Sequence, residues 1–187
     1  KQYSLGFFNA PENQYLSYHN LVHTEGVVKA AIQIGNHYQL DDHDFFIVLA
    51  SAWFHDMGYF LGDPATHEQK GAEKAAAFLN ELGVDELTIN KVQGCIRATR
   101  LPQSPVTLLE QIVCDADLFH LGTDEFPERN KLMRKECETS FNDTGSKEDW
   151  RKSSIKLLQS HQYQTDYAKL LLNKKKQENL QKLLQKQ

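Results

Sequence analysis

At 187 residues and 21.5 kDa, the chain has the length of one domain, or of one domain with an appendage. Its 40% apolar and 25% charged residues suit a soluble globular protein with a sizeable core, and only 10 glycines and 5 prolines argue against a turn-rich β-sandwich or a disordered chain. Twenty-one basic against 25 acidic residues leave a net charge of −4, which excludes a generic basic nucleic-acid binder. Cys95, Cys114 and Cys137 form no C-x-x-C pair and read as thiols of a reducing, cytoplasmic compartment. No apolar run approaches the roughly 20 residues of a membrane span. The count that stands out is eight histidines.

Helical periodicity runs almost from end to end. From Tyr15 to Tyr38, Leu21, Val22, Val27, Val28, Ala31, Ile32 and Ile34 keep the three-four spacing of one buried stripe. Asp41 and Asp42 are N-cap candidates for Phe45–Phe54, apolar nearly all round and so suited to the middle of a core. A loop with Gly58, Gly62, Asp63 and Pro64 follows, and Thr66 with Gln69 forms the pattern of a capping box for a helix ending before Gly83. Asp85 starts a helix through Ala98. Ser104 and Pro105 then mark the start of one closed by Gly122. Asn130–Phe141, Ser146–Gln162 and Leu170–Leu184 supply three more amphipathic segments, and no strand alternation or internal repeat is present. The expectation is an all-α fold: one multi-helix domain over 1–187, with a core at about 15–122 and C-terminal helices at about 126–187. The lysine-rich tail from Asn173 reads as a solvated helix face with Leu180, Leu183 and Leu184 docked inward, so no nucleic-acid partner is expected.

Three places carry chemistry. His19 and His23 are four apart, so on a helix they share a face. His55-Asp56 ends the most hydrophobic helix, where an ionised Asp needs a partner such as a divalent cation, or else an exit to solvent at Gly58. Asp115 and Asp117 close a later apolar helix and point to different sides of it, so at most one faces a shared site.

Together these residues form an H…HD…D pattern, and the chain resembles the HD superfamily of metal-dependent phosphohydrolases. Tyr18-His19-Asn20-x-x-His23 is similar to the first motif of that superfamily in its phosphodiesterase form. Ala52-Trp53-Phe54-His55-Asp56-x-Gly58-Tyr59 resembles the HD segment of a bacterial group of metal-dependent phosphohydrolases. The likeness continues through His67-Glu68-x-x-Gly71-Ala72, Ala98-Thr99, Asp115 to Leu118, Arg134-x-Glu136, Trp150-Arg151 and Glu178-Asn179-Leu180.

The resemblance implies a metal site among the central helices, with His23, His55, Asp56 and Asp117 as ligands. Their mixed nitrogen and oxygen donors suit Mn, Fe, Ni, Co, Zn or Mg. A divalent ion there would lower the pKa of a water for attack on phosphorus. His19 matches the position that protonates the leaving oxygen, a role for which imidazoles as a class are suited. Lys70, Arg97 and Arg100 are candidates for neutralising the phosphoryl oxygens, and Arg97 is taken as catalytic. Glu68 would orient the attacking water or, with His67, complete a second metal site; at the first turn of a helix it also fits the helix dipole. Arg100-Leu101-Pro102 stands where many members of the bacterial group place a further His, which favours one metal per chain. The implied activity is hydrolysis of a small phosphate ester, a nucleotide being the expected substrate, with no membrane partner and homo-oligomerisation left open. The alternative is a regulatory module that binds metal or nucleotide with little turnover.

Overall fold

The structure, a computed structural model, describes residues 2–8, 10, 15–61, 64–141 and 145–185. Every regular element among them is helical: α1 (Gln2–Phe8), α2 (Leu21–His37), α3 (Asp42–Phe54), α4 (His67–Glu81), α5 (Glu86–Ala98), α6 (Leu108–Asp117), α7 (Phe126–Ser140), α8 (Lys147–Ser160) and α9 (Asp166–Gln185). Short 3-10 turns cover Met57–Leu61, Pro64–Thr66 and Phe119–Gly122. The all-α expectation holds. Of the loop expected after α3, Gly62 and Asp63 lie outside the described residues.

Local chemistry sets most of the boundaries. The Asn20 side chain accepts from the Val22 and His23 amides, so α2 begins at Leu21 rather than near Tyr15. Asp41 and Asp85 cap α3 and α5 in the same way. At the end of α4, Gly83 takes the left-handed conformation at φ 73°. Its amide donates to the Asn80 carbonyl, and the Val84 amide to that of Leu79.

Two expected caps are not used. Thr66 makes no capping bond with its side chain, and the Gln69 amide serves Glu73 and Arg97 instead. Ser104 and Pro105 precede α6 without opening it. Thr107 and Glu110 form a reciprocal capping box there, which satisfies two helix-end amides and outcompetes a lone Ser cap.

The core lies where α2, α3, α5 and α6 pack together, with α4 closing one side against α5. Ala31, Ile34, Ile47, Val48, Val92, Ile96, Ile112 and Val113 are fully buried there. Each such aliphatic side chain contributes about 1.5–3 kcal/mol of burial. A smaller cluster of Leu118, Leu121, Phe126, Leu158 and Leu180 seats α8 and α9 on the Phe119–Gly122 turn. Gly122 is required there, because a Cβ would fall 2.6 Å from that of Leu172.

The tail departs from its expected pattern in two side chains. Lys176 is buried, donating to the His161 carbonyl and lying over the Tyr163 ring, whereas Leu184 is exposed. No helix among the described residues is long and apolar enough to cross a membrane.

Candidate metal centre

The centre is assembled from the starts and ends of core helices. His23 comes from the first turn of α2, His55 and Asp56 from the residues just after α3, and Asp117 from the last residue of α6. One ligand atom from each lies within 4.8 Å of all the others. Asp56 Oδ2 is 3.1 Å from His23 Nε2 and 2.9 Å from His55 Nε2, while Asp117 Oδ1 is 3.7 and 3.5 Å from the same two nitrogens. His55 Nδ1 donates to the Ala52 carbonyl at 2.8 Å, which leaves Nε2 as the nitrogen turned toward the carboxylates.

The group fits a divalent ion on a specific observation. His23 Nε2, His55 Nε2 and Asp56 Oδ2 are all buried and, beyond their short contacts with one another and with Asp117, have no hydrogen-bond partner among the described residues. Buried polar atoms without partners are costly, and three converging on one point are the donor set of a cation. Electrostatics agrees. Burial alone would push both imidazoles toward neutrality, but Asp56 and Asp117 overcome it and raise both pKa values, that of His55 strongly. Burial would raise both carboxyls, but His23 and His55 hold each below its ordinary range, with His19 adding to the effect on Asp56.

Asp115 is separated from this group. It is fully buried and accepts from the Gln164 amide (2.7 Å), the Thr165 amide (2.8 Å) and the Thr165 hydroxyl (2.7 Å). Asp117 is the carboxylate that enters the cluster.

His19 does not share a helical face with His23, because it lies in the turn before the cap of α2. The chain nevertheless brings their ring centroids to 6.0 Å. His19 Nδ1 pairs with Glu136 Oε1 of α7, while Glu136 Oε2 accepts the Tyr18 amide at 2.6 Å and the His19 amide at 3.0 Å. Tyr59 is stacked between His19, at a centroid distance of 3.6 Å, and His67, at 4.1 Å.

The family model for the HD domain matches residues 20–122, more than half of the chain and the span that holds all four cluster residues. The chain belongs to the HD domain family. Neither a curated protein nor a solved structure gives a significant match.

A cavity of about 420 Å³ opens beside the cluster, between the span matched by the HD domain and the helices that follow it, and is lined by Asp56, Asp117, His19, His67 and Glu68 among others. His67 Nδ1 donates to the Pro64 carbonyl at 2.7 Å, so Nε2 faces Asp56 Oδ1 at 3.8 Å and Glu68 Oε1 at 3.4 Å. Asp56 therefore turns one oxygen to the four-residue cluster and the other toward His67. Gly58 makes this possible: a Cβ there would fall 2.5 Å from the His67 Cα, so only glycine lets the start of α4 approach.

Arg97 is not where the sequence reading puts it. It is exposed, hydrogen-bonded to Gln69 at 3.1 Å, and does not line the cavity. Three residues on from Arg97, past the end of α5, Arg100 does line it, as does Arg129 of α7. Lys70 reaches the Leu61 carbonyl instead. His120 is in the cavity wall at 3.3 Å from the Tyr18 hydroxyl. Burial, with the His23 charge beside it, lowers its pKa to about 3, so it is a neutral wall residue.

Sequence reasoning assigns no site role to Glu136, Tyr59 or Arg129. Arg129 carries no local signal, although it lies only 12 residues after Asp117; Glu136 meets His19 across 117 residues of chain, and its one signal is the Arg134-x-Glu136 likeness. For Tyr59 there is one, its position directly after Gly58 in the HD segment His55-Asp56-x-Gly58-Tyr59.

Proposed function

We propose that this chain is a metal-dependent phosphohydrolase that cleaves a small phosphate ester, with a nucleotide as the expected substrate. Family membership supports a metal-dependent hydrolase. The observation that carries the reading is the convergence of three buried ligand atoms of His23, His55 and Asp56, with no hydrogen-bond partner outside the cluster, on Asp117 beside an open cavity.

His23, His55, Asp56 and Asp117 would hold one divalent ion. When bound, such an ion lowers the pKa of a water and polarises a phosphoryl oxygen. The chain's own residues supply the rest. His19 has Nδ1 engaged by Glu136, so Nε2 is the ring nitrogen that passes a proton to the leaving oxygen. Glu68, in the cavity wall beside His67, orients the attacking water. Arg100 and Arg129 offset the charge that develops on the phosphoryl oxygens.

The test is elemental analysis of protein purified without added metal. The protein is then stripped, reloaded singly with Mn, Fe, Ni, Co, Zn or Mg, and screened on phosphomonoesters, cyclic diesters and nucleoside triphosphates. Metal-dependent hydrolysis of one of these esters, at a metal stoichiometry near one, supports the reading. Absence of hydrolysis under every reloading condition refutes it in favour of a binding module.

A further inference from the structure

Beyond the metal cluster, the cavity is walled by α7 and α8. Asn130 and Met133 line it from α7, Trp150 and Leu157 from α8, each pair lying on one helical stripe. Its volume of about 420 Å³ falls in the range of small-molecule sites.

Asn130 is one of the polar residues of this wall, with Arg129, Ser153 and Ser154, and its partners settle which way the amide points. The Trp150 indole Nε1–H can only donate, so the atom 3.1 Å from it is the amide oxygen. The Ser154 hydroxyl lies 3.0 Å from that oxygen and 2.9 Å from the Trp150 carbonyl, and shares its one proton between them. With Oδ1 committed to α8, the two protons on Nδ2 meet no acceptor among the described residues, and Asn130 lines the cavity. A fixed amide of this kind favours a ligand that brings an acceptor over one that does not.

We propose that Asn130 is a specificity-determining residue. Its Nδ2 donates to a hydrogen-bond acceptor on the organic group of the phosphate ester. That group is a planar unsaturated ring lying against Trp150, Met133 and Leu157. The indole face and the methionine thioether both favour a flat π-system over a bare sugar or a short alkyl chain. The inference rests on the phosphohydrolase reading for the phosphate end and adds to it the class of organic group.

Two phosphonates test it by calorimetric titration of the metal-loaded full chain. (Coumarin-7-yl)methylphosphonate carries a ring lactone; 2-naphthylmethylphosphonate has similar size and no ring acceptor. Neither can be hydrolysed, because each holds phosphorus through carbon. The wild type is expected to bind the coumarin about threefold to tenfold more tightly, the range of one net hydrogen bond. In Asn130→Asp the side-chain oxygen still accepts from the Trp150 indole, but the donor end becomes an acceptor. The preference should disappear or reverse, with thermal unfolding confirming that the variant is folded. Equal wild-type binding of the two probes, binding of neither, or a ratio unchanged in Asn130→Asp overturns the proposal. A preference for the coumarin in a protein that hydrolyses no phosphate ester refutes the phosphohydrolase reading alone. Hydrolysis without the preference refutes this one alone.

Discussion

Glu136 and His19, 117 residues apart in sequence, are joined by a buried contact between the carboxylate and the imidazole Nδ1. The same carboxylate takes the backbone amides of Tyr18 and His19. One fully buried side chain therefore accepts from three donors and fixes both the position of His19 and the nitrogen it turns to the cavity. A carboxylate suits this because both its oxygens accept and neither donates.

Replacing His19 with Ala should lower kcat about 10²–10⁴-fold, the range for loss of a general acid, while metal content stays unchanged. Glu136→Gln should lower kcat as well. It should also destabilise the protein by about 1–3 kcal/mol, because an amide NH₂ then confronts donors where an oxygen stood. Steady-state kinetics with thermal unfolding checks both. Unaltered kcat in His19→Ala removes the general-acid assignment.

The comparison of His23, His55, Asp56 and Asp117 with Glu136 shows how far the sequence could be read. The first four sit beside helix boundaries marked by local signals: the Asn20 cap, the end of the apolar α3, and the last turn of α6. Their convergence follows once those helices pack. Glu136 lies on the half-exposed α7; the Arg134-x-Glu136 likeness marks it, but its role depends on where that helix crosses the turn before α2, which helical periodicity does not encode. Arg97 fails for a related reason. Its place on α5 is clear, but which face Gln69 would claim is decided by packing against α4. The start of α6 is legible in Thr107-x-x-Glu110, a stronger signal than Ser104-Pro105 because it satisfies two amides at once.

Asp115 and Asp117 should respond oppositely to the same change. Asp115→Asn puts an NH₂ among the Gln164 and Thr165 donors and should cost about 1–3 kcal/mol with metal content intact. Asp117→Asn should lose metal and lower hydrolysis by more than about 100-fold, above what an outer-shell partner costs, while destabilising the metal-free protein less. Elemental analysis beside unfolding curves decides. Metal loss in the Asp115 variant alone would reverse the assignment.

Stripping the metal should lower thermal stability. A ligand held at 100 times its dissociation constant stabilises by about 2.7 kcal/mol. At about 2–4 °C per kcal/mol for a chain of this size, chelation should lower Tm by about 5–11 °C. Reloading should restore it, and Asp56→Ala should show no response to chelator. A Tm that ignores both treatments in the wild type would show that no ion binds the folded chain tightly.

His161 should give the protein an acid-sensitive step distant from catalysis. Burial, with the Lys176 ammonium beside it, lowers the His161 pKa to about 4 from an ordinary value near 6.5. Above 6.5 the imidazole is neutral whether the chain is folded or not, and its contribution to stability is whole. Between 6.5 and 4 the unfolded chain takes up a proton that the folded chain refuses, so stability is lost as the pH is lowered. Below 4 both forms are protonated and the loss levels off. At about 1.4 kcal/mol per pKa unit, the full step is about 3 kcal/mol. His161→Gln keeps the backbone carbonyl that accepts from Lys176 but has nothing to titrate. Urea unfolding at fixed ionic strength from pH 7 to pH 4 should therefore show a flatter pH dependence in the variant, the difference growing toward about 3 kcal/mol. Parallel profiles would mean that His161 is protonated as readily in the folded chain as in the unfolded one.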